Sequence, residues 1–181
     1  ILKVPYYTAP EEAEKFCAQL CINGLVDAVL SEDTDLIAYN TPVFLSKIDT
    51  QTDNCVLLTA DRLTEQMNMT SEQILDLCIM CGTDYNPNIP KVGPHTAYKL
   101  LLELQNIENI GEQTIHDISI LNHKRGRQLF TEFKDCELKS VDYCGIPDFD
   151  KLQSFISEFN IRLNMEQLQK NFGQQIILLE D

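Results

Sequence analysis

No apolar run in this 181-residue sequence approaches the roughly 18 positions that a membrane span requires, and no signal-peptide pattern stands at its start. The expectation is a soluble protein, away from membranes and inside the cell. A disulfide framework is also missing. The seven cysteines are odd in number and scattered, which suits reduced thiols in the cytosol or nucleus. Cys78 and Cys81 form a C-x-x-C, but no second pair accompanies them and they fall inside a helical pattern, so zinc is not expected. Positive charge is scarce: 14 Lys and Arg stand against 28 Asp and Glu, a net charge of −14. That balance excludes a broadly basic face for gripping phosphates, so any nucleic-acid partner must be held by local basic residues or by a portion of the protein outside this sequence. Internal repeats and low-complexity segments are absent as well. The sequence opens at Ile1 rather than Met and in mid-pattern, as expected of part of a longer protein or of a processed product.

What the sequence does have is a short apolar run, Val26 to Leu30, that stops in a knot of carboxylates, Glu32-Asp33-Thr34-Asp35. Such a run reads as a buried strand, and the residues just after a strand lie where α/β sheets collect ligands. Carboxylates this close repel one another. Solvent would offset the repulsion, and so would a divalent cation.

Around this stretch the pattern alternates. Ile1 to Val4 reads as a short strand. Thr8 to Glu14 starts a helix with Pro10 and acidic residues in its first turn, an apolar face follows at Ala13, Phe16, Cys17 and Leu20, and Asn23-Gly24 ends it. In isolation Glu11, Glu12 and Glu14 would be helix-dipole compensation. Pro42 to Leu45 and Asn54 to Leu58 read as further strands, Thr59 caps a helix, and Thr70 or Ser71 caps another through Cys81 with Ile74, Leu75, Leu77, Cys78 and Cys81 facing inward. Strands alternating with helices predict an α/β layer with a mostly parallel sheet.

After Cys81 come turn formers, Gly82-Thr83-Asp84-Tyr85-Asn86-Pro87-Asn88-Ile89-Pro90-Lys91-Val92-Gly93-Pro94, and then only helical periodicity. A helix, a hairpin centred on Val92-Gly93 and a helix starting at Pro94 make a helix-hairpin-helix pattern. Its backbone N–H groups can hold a phosphate without many charges. Later helical pieces carry Ile110, Ile115, Ile118 and Leu121, then Leu129, Phe130 and Phe133, then Leu152, Phe155, Ile156 and Phe159. His123-Lys124-Arg125-Gly126-Arg127 is the one dense basic cluster, in the ordinary case a solvated face and in the alternative a nucleic-acid contact.

Pro10-Glu11-Glu12-Ala13-Glu14, the Glu32 to Asp35 knot and Gly82-Thr83-Asp84-Tyr85 with the Ile89 to Pro94 hairpin follow one another in the order seen in flap endonucleases. The sequence resembles the internal, or I, region and the helix-hairpin-helix region of that XPG-type nuclease family, from Pro5 to about Leu104 and more weakly to about Phe172. The resemblance implies a PIN-like α/β region over residues 1–81 and an all-helical DNA-binding region over residues 82–181. It implies that Glu12, Glu14, Asp33, Asp35 and Asp84 ligate two divalent ions, Mg²⁺ or alternatively Mn²⁺, while Glu32 stays outside the site. Phosphodiester hydrolysis needs a metal to supply hydroxide near neutral pH and charge at the leaving oxygen. Residues two apart on an ideal helix point about 200° away from each other, so Glu12 and Glu14 share a site only if the helix is frayed there or a water intervenes. The implied activity is structure-specific cleavage of DNA at 5′ flaps or duplex/single-strand junctions, in replication, repair or recombination, in the nucleus or at a cytoplasmic site of DNA replication.

The sequence also departs from the family. Lys91 stands for a small residue within the hairpin, His95 and Thr96 replace the basic residues that usually follow it, and Asn88 takes the position of a hydroxyl that helps to bind potassium. Lys91, Gly93, His95 and Lys99 remain the candidates for contact with duplex DNA. The tail from Gln174 to Glu180 lacks the closing aromatic pair of a sliding-clamp peptide, so clamp binding through it is not expected. The family's N-terminal region, with further metal-binding aspartates and a helical arch, is expected as a partner from the same protein, and without it the chain is not expected to be a competent nuclease. A non-catalytic junction- or partner-binding protein of the same fold is the alternative, and a metal-dependent ribonuclease a third.

Overall fold

The computed structural model describes residues 1–52, 54–133 and 140–177, with side chains described through residue 172. They form two compact units, one of residues 8–141 and one of residues 1–7 with 142–181.

The larger unit is α/β. Helix α1 (Ala13–Ile22) is followed by β1 (Val29–Leu30), α2 (Asp35–Ala38), β2 (Val43–Asp49), β3 (Asn54–Thr59), α3 (Ala60–Met67), α4 (Ser71–Cys81), α5 (Pro94–Leu104), α6 (Ile107–Gln113), a 3-10 turn (Ser119–Leu121) and α7 (His123–Thr131). The three strands lie in the order β1-β2-β3. β1 runs parallel to β2, with Val29 opposite Phe44, and β2 runs antiparallel to β3, with Phe44 opposite Leu58. The sheet among the described residues is therefore mixed rather than mostly parallel. The reason is the short link: residues 50–52 turn, and only four residues separate the strands, too few for a crossover, so β2 and β3 pair as a hairpin. Asp49 fixes that turn by accepting from the Gln51 N–H at 2.8 Å and the Thr52 hydroxyl at 2.8 Å.

Caps set the helix starts where the sequence placed them. Thr59 accepts from the N–H of Arg62, and Thr70 and Gln73 form a reciprocal capping box at the start of α4. Ala18, Leu36, Phe44, Ile74, Ile79, Met80, Ile89, Val92, Leu101, Ile110 and Phe130 belong to one buried core. Sheet, α4 and the hairpin are thus packed as one body. Several expectations are corrected. Strand β1 covers only Val29–Leu30, because Asp27 interrupts the apolar run. On α4, Ile79 and Met80 are buried and Cys81 is exposed. Ile115 lies beyond α6 and is fully exposed.

In the smaller unit Ile1 to Val4 forms no strand, and Lys3 within it takes a left-handed φ of +53°. Its carbonyls accept instead from the backbone, Lys3 O from Gly145 N at 3.0 Å and Ile1 O from Asp148 N at 3.1 Å. Helices α8 (Phe149–Glu158) and α9 (Met165–Ile177) follow. Asp148 caps α8 through the Lys151 N–H, Leu152 and Ile156 are buried, and Phe155 and Phe159 stay largely exposed. No helix among the described residues is long and apolar enough to cross a membrane. The clamp-like tail, Gln174 to Glu180, falls outside the residues whose side chains are described.

Candidate functional site

Helix α1 begins at Ala13, later than the pattern of Thr8 to Glu14 predicts, and this placement answers the 200° problem. Glu12 is the N-cap, with φ −72° and ψ 142°, while Glu14 sits within the first turn. An extended N-cap is not bound by helical periodicity, so Glu12 can turn toward the side that Glu14 faces. Its carboxylate accepts from the Tyr39 hydroxyl at 3.0 Å, and burial, then Glu12, push the Tyr85 hydroxyl up to about 12. Glu11 instead pairs with Lys15 at 3.1 Å.

The acidic knot stands at the end of β1, where the ladder is continued by Ser31 N donating to Leu45 O at 3.1 Å. Asp33 accepts from the Asp35 N–H at 2.9 Å through Oδ1, an Asx turn, and its own N–H donates to the Ser31 hydroxyl at 3.1 Å. Asp35 opens the short α2 and is half-buried, whereas Glu32 and Asp33 are exposed. Asp84 is presented by a loop fixed from both sides. Gly82, at φ +92°, ends α4, and the Thr83 and Asn86 backbones bond each other. The Asn86 side chain, buried, donates to Ile79 O at 2.8 Å and accepts from the Thr83 hydroxyl at 2.8 Å.

Electrostatics tie these pieces together. Burial, and then the charges of Asp33, Asp84, Glu12 and Glu14 in that order, push the Asp35 carboxyl up from 3.8 to about 6. The other four expected carboxylates therefore all act on Asp35, and an added cation would relieve that load. Hard oxygen donors suit Mg²⁺ or Mn²⁺. No three His, Cys, Asp or Glu side chains among the described residues close on a point by themselves. The nearby Cys78 thiol is pushed up to about 12 by burial, with smaller contributions from Cys81 and Asp35.

At the hairpin, Ile89 and Val92 are buried while Lys91, Gly93, His95 and Lys99 are all exposed. Gly93 is the N-cap of α5, with Pro94 in its first turn. Its φ is −88°, and a Cβ there would meet nothing within 4 Å. Nothing inside the chain requires glycine at this position. The Asn88 side-chain amide donates to Ile89 O at 3.3 Å and Val92 O at 3.4 Å. In this arrangement a donor is seated on the carbonyls that a potassium ion would use.

The basic cluster is divided. Lys124 and Arg125 are exposed, but Arg127 bridges Asp76 of α4 and Glu108 of α6, with its Nε 2.7 Å from Asp76 Oδ1 and its Nη1 2.6 Å from Glu108 Oε1. Arg127 holds Glu108 down at about 2 and is itself raised, first by its bond to Glu108. It is a structural clamp beside a cleft of about 630 Å³. The signal for it was Asp76, a carboxylate among the apolar residues of α4, which needs a buried cation. Sequence patterning offers no comparable signal for Tyr39 and Tyr85, whose rings look like ordinary core.

Residues 3–84 match the family described as the XPG I-region. The chain is 31% identical over 194 residues to a probable RAD2-like endonuclease of Invertebrate iridescent virus 6, covering 95% of this chain and 47% of that protein. It is 40% identical over 112 residues to flap endonuclease 1-1 of Paramecium tetraurelia, covering 62% of this chain and 29% of that one. Among solved structures its fold is similar to flap endonuclease-1 from Methanococcus jannaschii, with a TM-score of 0.70 and 22% identity over 93% of this chain and 51% of the other. The chain thus spans about half the length, or less, of the relatives it matches.

Proposed function

We propose that this chain, a member of the XPG-type flap endonuclease family, contributes the carboxylate site and the duplex grip of a metal-dependent nuclease that cuts DNA at 5′ flaps or duplex/single-strand junctions. The observation that carries the proposal is the load on Asp35 from Glu12, Glu14, Asp33 and Asp84, five carboxylates from three separate segments focused on one place. A protein that only binds DNA has no use for such repulsion toward phosphate. Two bound Mg²⁺ ions would supply a hydroxide near neutral pH and charge for the leaving oxygen. The chain's own residues hold the five ligands: the Asx turn orients Asp33, the Thr83–Asn86 loop presents Asp84, and Tyr39 bonds Glu12.

The duplex would lie along the hairpin. The N–H groups of His95 and Thr96 in the first turn of α5 have no intrahelical carbonyl, and the open face of Gly93 allows a phosphate to approach the backbone. Lys91 and Lys99 add charge without base contacts, so the grip is independent of sequence. The curated relatives are about twice as long or longer, so activity is proposed for the full-length protein, acting with its N-terminal part where DNA is replicated, repaired or recombined. The net charge of −14 favours the second reading, a non-catalytic junction binder of the same fold.

Labelled 5′-flap DNA with Mg²⁺ separates the two. Full-length protein is expected to cut near the junction, and Asp33→Ala with Asp84→Ala to abolish cutting while binding persists. Binding without cleavage by the unaltered protein, or cleavage that survives the double substitution, refutes the nuclease.

A further inference from the structure

The carboxylate site has a support that its ligand set does not include. Tyr39 is 2% exposed, and its ring is fixed by Phe130 at 4.9 Å and Phe133 at 6.2 Å between ring centroids. Its hydroxyl nevertheless donates to Glu12 Oε2 at 3.0 Å. Tyr85, whose ring meets Phe130 edge-on at 5.5 Å, stands beside the same pair, its hydroxyl pushed up first by burial and then by Glu12. Glu12 itself is exposed, sits outside α1 and makes no capping bond, so its helix does not orient its side chain. A phenylalanine would fill the space between Phe130 and Phe133 equally well, so the hydroxyl adds nothing to the packing.

We infer that Tyr39 is a positioning residue for the cation site: its buried hydroxyl fixes the orientation of Glu12 and leaves Oε1 directed to the ion. The inference rests on the reading of the carboxylates as a divalent-metal centre. A phenol bonded as a donor to one carboxylate oxygen selects the rotamer and cannot compete with the metal for the other oxygen. Ligands oriented this way lose metal affinity when the supporting group is removed. Tyr39 is anchored in the core while Glu12 lies at the surface, so Glu12 takes its position from the aromatic cluster rather than from α1.

The test uses Mn²⁺ as probe, with affinity measured by electron paramagnetic resonance of the free ion in the full-length protein. Tyr39→Phe is expected to weaken Mn²⁺ binding about tenfold. It is also expected to raise the Mg²⁺ concentration for half-maximal flap cleavage in proportion, with the rate at saturating Mg²⁺ recovering. A merely structural tyrosine would not produce that split. Should Tyr39→Phe melt early, Tyr85→Phe removes a hydroxyl from the same cluster and is expected to weaken Mn²⁺ binding to a smaller degree. Affinity equal to that of the unaltered protein in both variants overturns the inference while leaving the nuclease reading intact. Mn²⁺ binding without flap cleavage overturns the nuclease reading while the affinities still decide the role of Tyr39. No Mn²⁺ binding by the unaltered protein overturns both.

Discussion

Asp35→Asn, in buffer freed of divalent cations, should make the protein more stable, and the gain should appear only as the pH rises. The native carboxyl titrates at about 6 instead of 3.8, first because it is buried and then because four other carboxylates face it. Between those values the native state keeps a proton that the unfolded chain has released. Stability therefore falls as pH rises through this window, and the loss is complete above about pH 6. Taken in full, at about 1.4 kcal/mol per unit, the displacement corresponds to about 3 kcal/mol. Asp35 is only half-buried, so solvent screening reduces this to about 1 kcal/mol. Asparagine keeps the shape and removes the charge, so at pH 8 the variant should melt about 2 to 4 °C higher than the unaltered protein. At pH 3, below the unfolded value, the difference should nearly vanish. Mg²⁺ should reverse the order at pH 8 by stabilising the protein with the intact ligand set. Thermal and urea unfolding at both pH values, with and without Mg²⁺, measure all of this. No gain at pH 8, or the same gain at both pH values, refutes the argument that these charges load one site.

Arg127→Ala leaves Asp76, whose side chain is 4% exposed, without its cation. Urea unfolding should show a loss of about 3 kcal/mol or more, while Arg127→Met combined with Asp76→Leu recovers most of it. The depressed Glu108 contributes stability above its ordinary 4.5 that is lost as pH falls through about 2, so the cost of Arg127→Ala should shrink in acid. At the hairpin, binding of blunt duplex should not respond to exchange of K⁺ for tetramethylammonium at constant ionic strength, because the Asn88 amide already bonds Ile89 O and Val92 O. Asn88→Ser should make the same binding K⁺-dependent, as read by fluorescence anisotropy.

Local chemistry made much of this fold legible. Thr59, Thr70 with Gln73, and Pro94 mark helix starts because capping and a fixed φ act within a few residues, and the structure has helices there. The run of Ile1 to Val4 misled because its partners, the N–H groups of Gly145 and Asp148, are more than 140 residues away. Strand direction was equally hidden, since it depends on whether the chain crosses the sheet or, as at residues 50–52, simply turns. At the candidate site the ligand types stand in the sequence, but the N-cap conformation of Glu12 does not. Nor does the reach of Tyr39, because a pattern of apolar positions cannot distinguish an aromatic ring that only packs from one whose buried hydroxyl also holds a carboxylate.

Helix α4 ends at Gly82, and the loop that presents Asp84 is tied back onto it by the bond from Asn86 to Ile79 O. Ile89 and Val92 of the hairpin are packed into the same core, and Arg127 fastens the middle of the helix to α6. On the proposed reading, the phosphate gripped at Gly93 and the phosphate to be cut are thus referenced to one stiff rod. Such a rod acts as a gauge. The place of incision would be counted off in nucleotides from the held duplex, set by protein dimensions rather than by the identity of any base.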